Sequence, residues 1–195
     1  MKQLSNTSKL IEKARSSSIK TRSVLIEKMS SNRTQEISCK GCPGTCCTYQ
    51  SNSMKVTPLE ALDLYFYLLK FDRLNTEFRE RMVNNISEFR LDKDLSHGKN
   101  FSLRRYYTCP LFLNKELGCS IDNDHKPFGC LGFEPQQKSE QWNLRQCRSD
   151  QDILENSLEK ESSEINFALK EELKLNWAKT TISQAILSIM DSIKV

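Results

Sequence analysis

Eight cysteines are the side chains of this 195-residue sequence best suited to chemistry. All eight fall in two loop-like stretches rich in Gly, Pro and Ser, 38–53 and 97–148. A cysteine that only fills a core behaves as a small hydrophobe and tends to occupy a helix or strand face. Thiolates gathered in loops that can bend around a central ion indicate metal binding instead. We expect the metal ligands to be Cys39, Cys42, Cys46, Cys47, Cys109, Cys119, Cys130 and Cys147.

The first stretch is the denser one, with four cysteines in the nine residues 39–47. The two-residue gap between Cys39 and Cys42 allows a tight turn that aims both sulfurs at one point, as in a zinc knuckle. Gly41 and Gly44 let the backbone fold close enough for amide N–H groups to donate to thiolate sulfur. This spacing predicts a metal site by itself.

The second stretch is looser, with gaps of nine, ten and sixteen residues between successive cysteines. These gaps match no standard zinc finger, so its cysteines can act as ligands only if the loop folds back on itself. The adjacent pair Cys46 and Cys47 points its side chains apart in most backbone conformations, so the two can serve different metals, or one is a spare. His125, five residues before Cys130, is a reserve ligand, although a surface histidine is the commoner case.

Several arrangements of the thiols stay open at this point. Eight thiolates can form two tetrahedral Cys₄ zinc sites or one binuclear zinc cluster with bridging sulfurs. Four can instead hold a [4Fe–4S] iron–sulfur cluster while the others are redox-active, bound to zinc or unligated. Disulfides and unligated core cysteines are the remaining alternative.

The start of the chain predicts a cytoplasmic protein, because the residues after Met1 lead into a charged segment without the apolar core of a secretory signal. Thiols stay reduced in that compartment, which favours metal ligands over disulfides. No stretch approaches the ~20 apolar residues of a membrane span, so we expect no membrane partner. The net charge of +4 is spread along the chain and does not predict a nucleic-acid partner.

The elements that must position the cysteines are mainly helices. Only six Gly and five Pro argue against a turn-rich β-sandwich. Thr57-Pro58-x-Glu60 is a typical helix start with a capping box, and the apolar run 61–71 continues it. Apolar spacing predicts further helices at 78–89, 153–173 and 182–193.

Two segments are less regular. Residues 4–31 have helical spacing, but Ser16-Ser17-Ser18 interrupts it and predicts a broken or partly disordered helix. Arg105-Tyr106-Tyr107 is a short extended piece that can pair as a small β ribbon. We expect a mainly α fold in which helices pack around two irregular Cys-rich metal-binding loops, divided into an N-terminal helical segment 1–35, a cysteine-cluster domain 36–148 and C-terminal helices 149–195.

Five motifs follow one another along the chain: Cys39-x₂-Cys42-x₃-Cys46-Cys47, Val56-Thr57-Pro58-x-Glu60, Cys109-Pro110-Leu111-Phe112, Gly118-Cys119-Ser120-Ile121 and Lys126-Pro127-x₂-Cys130. In this order they resemble the zinc- or iron-chelating domain family of cysteine-cluster proteins. The resemblance covers about residues 36 to 148 and implies a bound metal, zinc or iron. A flagellar lysine methylase group carries a related cysteine signature, so the resemblance also allows an enzyme.

The chain departs from that family at two places. The family usually has Arg-Pro and Cys-Arg where this chain has Lys126-Pro127 and Cys130-Leu131. A guanidinium donates through a rigid fork that lysine cannot reproduce, and leucine donates nothing. Any role of those arginines toward an anionic ligand or the metal centre is in question here.

The sequence leaves three function classes. The first is a metal-binding protein whose zinc or iron–sulfur centre organises the fold or serves storage, transfer or assembly. The second is an iron–sulfur enzyme, such as a protein-modifying methylase or a redox protein. The third is a zinc-stabilised adaptor that binds a protein partner through its outer helices. There is no phosphate-binding glycine loop, nucleophile elbow or HExxH helix that would supply catalytic machinery apart from the metal.

Overall fold

The protein is mainly helical, as the composition and apolar spacing predicted. The computed structural model describes residues 2–31, 44, 46–93, 105–113, 115–116, 118–135, 147–149 and 160–193. The elements in this part of the chain are α1 (Lys2–Ser31), α2 (Pro58–Lys70), α3 (Thr76–Glu88), a 3₁₀ helix (Asn123–His125), α4 (Phe128–Leu131), β1 (Phe133–Pro135), β2 (Cys147–Ser149), α5 (Lys160–Glu172) and α6 (Ile182–Ser192).

Helix α2 lies at the centre and contacts α1, α5 and α6. It begins as predicted: Thr57 accepts a hydrogen bond from the Glu60 amide, the Glu60 carboxylate accepts one from the Thr57 amide at 2.8 Å, and Pro58 occupies the first turn. This capping box satisfies amides that the helix itself leaves without acceptors. Ten of its thirteen residues are buried, which makes α2 the core of the fold.

Helix α6 contacts both α2 and α3. Helices α3 and α6 also follow the predicted apolar spacing. Phe78 and Met82 of α3 and Ile186 and Ile189 of α6 are buried, and the two helices contact each other. A one-residue antiparallel bridge between Val56 and Thr180 joins the start of α2 to the start of α6. The segment between Cys47 and α2 is thereby tied to the start of α6.

Helix α1 is continuous through the serine run, so the predicted interruption is wrong. Ser17 and Ser18 are buried, and so is Ala14 one turn earlier. Their small side chains allow α1 to pack closely against α2 and α5. Tertiary packing therefore outweighs the weak helix propensity of serine.

A buried ion pair fastens α1 to α2. Arg22 is 2% exposed, and its Nη2 lies 2.7 Å from Oδ2 of Asp63, which is itself buried. The Arg22 guanidinium also lies 5.3 Å from the centre of the Phe128 ring in α4. One side chain thus holds together three helices that are distant in sequence.

The small sheet is not where the sequence predicted it. β1 and β2 pair in antiparallel fashion with Phe133 opposite Ser149, whereas residues 105–107 form no strand. Tyr107 exchanges hydrogen bonds with Asn52 instead: its amide donates to the Asn52 carbonyl at 3.0 Å, and the Asn52 side chain donates to its carbonyl at 3.0 Å. The partner of Tyr107 is therefore a loop residue and not a second strand.

Residues 151–159, where the helix predicted at 153–173 begins, lie outside the described residues, and α5 covers its later part. Within the described ranges, no helix combines the length and apolar character that a membrane crossing requires.

Candidate functional site

Five cysteines line one small cavity of about 30 Å³. They come from both cysteine stretches, at 46–47 and 109–130, and all five are thiols rather than half-cystines. The volume matches a monatomic ion or a water molecule and excludes an organic ligand. The cysteines are Cys46, Cys47, Cys109, Cys119 and Cys130.

A tight turn positions the first two thiols. The amides of Cys47 and Thr48 donate to the Gly44 carbonyl at 2.8 and 2.9 Å. Gly44 has a φ of +84°, and a Cβ on it would lie 2.3 Å from the ring of Phe112. Only glycine fits here without strain or clash, so the glycine of the cysteine motif has a definite structural role.

Cys109 joins the two cysteine stretches directly. Its amide donates to the carbonyl of Cys47 at 2.6 Å, and its side chain is buried. This hydrogen bond is the contact by which the second stretch folds back on the first, as the sequence required if both groups were to share a site.

The other two thiols are held by short local structures. Cys119 pairs across an antiparallel bridge with Phe112, and Gly118 in the turn has a φ of +108°. Cys130 lies in the single-turn helix α4, where its amide donates to the Pro127 carbonyl at 2.9 Å. Both structures depend on glycine or proline, the residues whose density marked this stretch as loop.

Two buried charged residues fix the segment that precedes Cys130. A Glu60 carboxylate oxygen accepts a hydrogen bond from the Phe128 amide at 2.8 Å. The Arg22 guanidinium donates from Nε to the Lys126 carbonyl at 3.0 Å. Helices α1 and α2 therefore set the position of the segment that carries Cys130 into the cavity.

The surroundings of Cys47, Cys109 and Cys130 raise the thiol pKa and so favour the neutral form. Burial raises the pKa of Cys109 to about 12, and the nearby thiols add to the effect. Burial likewise raises the pKa of Cys130 well above its ordinary value. A hydrogen bond with Cys46, followed by burial, raises the pKa of Cys47. These sulfurs lose their protons readily only if a cation enters among them.

Three of the eight predicted ligands are not among the side chains that the structure describes. Cys39 and Cys42 lie outside the described residues; Cys147 is in β2, and its side chain lies outside the described part as well. In the described part of the chain, no three Cys, His, Asp or Glu side chains form a group arranged to hold a metal ion. The five thiols thus share a cavity without converging on one point.

His125, the reserve ligand, is not among the residues that line the cavity. Its ring centre lies 4.4 Å from that of Tyr67, and its Nδ1 lies 2.6 Å from Oδ1 of Asp122. Both contacts orient the ring outside the thiol cavity, so the geometry gives it a structural role.

A larger cleft of about 590 Å³ lies between α3 and the cysteine-bearing segments. Cys109 borders both this cleft and the small cavity. Glu77, Glu80 and Glu88 line the α3 side of the cleft. A molecule in the cleft would therefore contact the residue that also forms part of the thiol cavity.

Sequence reasoning missed two polar residues that line the cavity, Asn52 and Lys126. Lys126 belongs to one of the quoted motifs, where it replaces the family's usual arginine, and its side chain is only 5% exposed. The signal available was its place beside Pro127, four residues before Cys130. Lysine is usually a surface residue, and that expectation concealed it.

No protein-family model, no curated protein and no solved structure matches this chain. The resemblance to the zinc- or iron-chelating domain family therefore stays a prediction from its motifs.

Proposed function

We propose that this chain is a metal-binding protein of the zinc- or iron-chelating type, with cysteine thiolates as the ligands. The observation that carries the proposal is the meeting of five thiols around one cavity from residues 46–47, 109–119 and 130. Zinc and iron are the metals that such sulfur-rich donor sets prefer.

Simple core packing explains this gathering poorly. Aliphatic side chains would fill the same space without an electrostatic cost, whereas here Cys119, after burial, helps to raise the pKa values of both Cys109 and Cys130. Several thiols around one cavity are stable when neutral, and a cation that replaces their protons can bind them strongly. The donor chemistry of the cavity therefore fits a thiophilic metal ion.

The size of the cavity favours a single ion over a cluster. About 30 Å³ admits one zinc or iron ion. A [4Fe–4S] cluster has eight inorganic atoms and would need the walls to move apart. We therefore place a mononuclear thiolate site, with zinc as the first candidate, ahead of an iron–sulfur cluster.

The deciding experiment is purification of the full chain without oxygen, followed by elemental analysis and an absorption spectrum. We expect about one zinc or iron per chain. Zinc leaves the protein colourless because it is a d¹⁰ ion, whereas an iron–sulfur cluster colours it brown. A folded preparation with no transition metal that also takes up none from solution would refute the proposal.

A matched pair of variants tests the thiol role. Cys109→Ser removes a sulfur from the cavity wall, and we expect the metal content to fall sharply. Met54→Leu changes the same wall while keeping its volume and every thiol, and we expect normal metal content. Equal metal loss in both variants would attribute the effect to packing.

A second candidate function is an iron–sulfur enzyme, and the cleft beside Cys109 favours it. An open space of about 590 Å³ is large enough for a small molecule or a peptide side chain. If the purified protein contains iron, a ligand bound in the cleft should perturb the spectrum of the cluster. If the spectrum of the iron-loaded protein does not change when a ligand binds in the cleft, the iron would instead serve storage, transfer or a structural role.

A further inference from the structure

Lys126 brings a charged side chain into the wall of the thiol cavity. It is 5% exposed, and among the described residues that line the cavity it is the ionisable group other than cysteine. Lysine is almost never this buried unless its charge is matched by something nearby. Its place in a wall with five sulfurs would bring its charge close to theirs once a bound cation displaces the thiol protons.

Both ends of Lys126 are held. Its carbonyl accepts the hydrogen bond from Nε of Arg22 at 3.0 Å, and Arg22 is 2% exposed. Its Nζ donates to the side-chain oxygen of Asn123 at 2.9 Å. The ammonium is thus fixed in place and differs from a flexible surface lysine that reaches the cavity by chance.

We propose that Lys126 is a positioning residue whose positive charge stabilises an anionic metal–thiolate centre in this cavity. The proposal rests on the proposed metal-binding function. A divalent zinc with four thiolates carries a net charge of about −2. Such a charge is costly to bury, and a fixed cation in the same low-dielectric surroundings offsets part of that cost.

Lys126 is also tied to one of the sulfurs through the backbone. Lys126 and Cys130 belong to one short segment, since the Cys130 amide donates to the carbonyl of Pro127. The backbone that carries the cation therefore also carries one of the sulfurs.

The test compares zinc affinities of full-length variants by competition with a chromophoric chelator. Lys126→Met removes the charge and keeps an unbranched stem, and we expect affinity to fall about 10- to 100-fold, as for other residues that support metal ligands. Lys126→Arg keeps the charge and should bind within a few-fold of the wild type. Lys55→Met alters an exposed lysine and serves as the matched control.

Two further variants separate charge from structure. Lys126→Gln keeps a donor for Asn123 and loses only the charge, so it should weaken zinc binding like Lys126→Met; it also decides the case if Lys126→Met does not fold. Asn123→Ala removes the hydrogen bond and keeps the charge, so it should bind more tightly than either neutral variant.

The two proposals fail in different ways. If the wild type binds no zinc or iron, the metal-binding function itself is refuted. If the wild type binds zinc and Lys126→Gln binds equally well, the charge of Lys126 is irrelevant and only the present inference is overturned.

Discussion

At the scale of single residues, breaking the buried pair of Arg22 and Asp63 should lower the free energy of unfolding substantially. Asp63→Asn leaves the Arg22 charge buried without its carboxylate. We expect a loss of about 3–5 kcal/mol in the free energy of unfolding, as for other broken buried ion pairs. Denaturant unfolding of the metal-free protein measures it.

The matched control for this variant is Asp191→Asn. Asp191 pairs with Arg79 at 2.9 Å, but the two side chains are 62% and 45% exposed. Solvent screens such a pair, and we expect a change within about 1 kcal/mol. Equal losses of unfolding free energy in the two variants would show that burial does not strengthen the contribution of the Arg22–Asp63 pair to stability.

Gly44 and Gly129 provide a second comparison at this scale. Gly44→Ala combines a positive φ with a clash against the rigid Phe112 ring, and we expect a cost of about 2–4 kcal/mol. A Cβ on Gly129 meets only the flexible end of Met54, so Gly129→Ala should cost less. Unfolding midpoints in denaturant decide between them; a Gly44→Ala protein no less stable than Gly129→Ala would contradict the role given to the cysteine turn.

At the scale of elements, Glu60 connects the start of α2 to the start of α4. One carboxylate oxygen accepts from the Thr57 amide and hydroxyl, and the other accepts from the Phe128 amide. Glu60→Ala leaves these buried donors without an acceptor, and each such group costs about 1–3 kcal/mol. We expect a loss of about 2–5 kcal/mol.

Glu77→Ala, in the first turn of α3, is the control for Glu60→Ala because Glu77 is exposed. It should change stability by less than about 0.5 kcal/mol. If Glu60→Ala lowers the free energy of unfolding by no more than Glu77→Ala does, the hydrogen bonds of Glu60 that link α2 and α4 contribute less to stability than their geometry indicates.

The helices show which parts of the fold could be predicted from sequence. Helices α2, α3 and α6 were predictable because caps and apolar spacing are local signals. The continuity of α1 was not, since it depends on how closely buried Ser17 and Ser18 pack against other helices. The same reason hid the partner of Tyr107, which is a loop residue 55 positions away.

The candidate site was also predictable only in part. The density of cysteines in two loops predicted that they would meet, and five of them line one cavity. The buried positions of Arg22 and Lys126 could not be foreseen, because composition places such residues on the surface. Only the folded chain reveals which charges are enclosed.

At the scale of the whole molecule, the raised thiol pKa values predict how the metal-free protein responds to alkali. Burial raises the pKa of Cys109 from 9.0 to about 12, so the folded state keeps a proton that the unfolded chain releases. This contribution to stability is fully present below about pH 9 and is lost as the pH rises toward about 12. We expect the denaturant midpoint of the metal-free protein to fall across that window.

Zinc should reverse this dependence. Bound thiolates have already lost their protons, so the alkaline loss should disappear, and acid should destabilise the protein as protons compete with the metal. Parallel unfolding series with chelator and with stoichiometric zinc measure both trends. Identical curves in the two series would mean that the thiols never hold the ion.

Ile182, at the beginning of α6, lines the thiol cavity together with the cysteines. During synthesis the ribosome releases Cys46 and Cys47 long before this residue emerges, and a nascent chain folds from its N-terminal end. The wall of the cavity is therefore complete only once Ile182 has left the exit tunnel. We expect the chain to hold the ion stably only from that point, so that nascent chains stalled before Ile182 would not retain it.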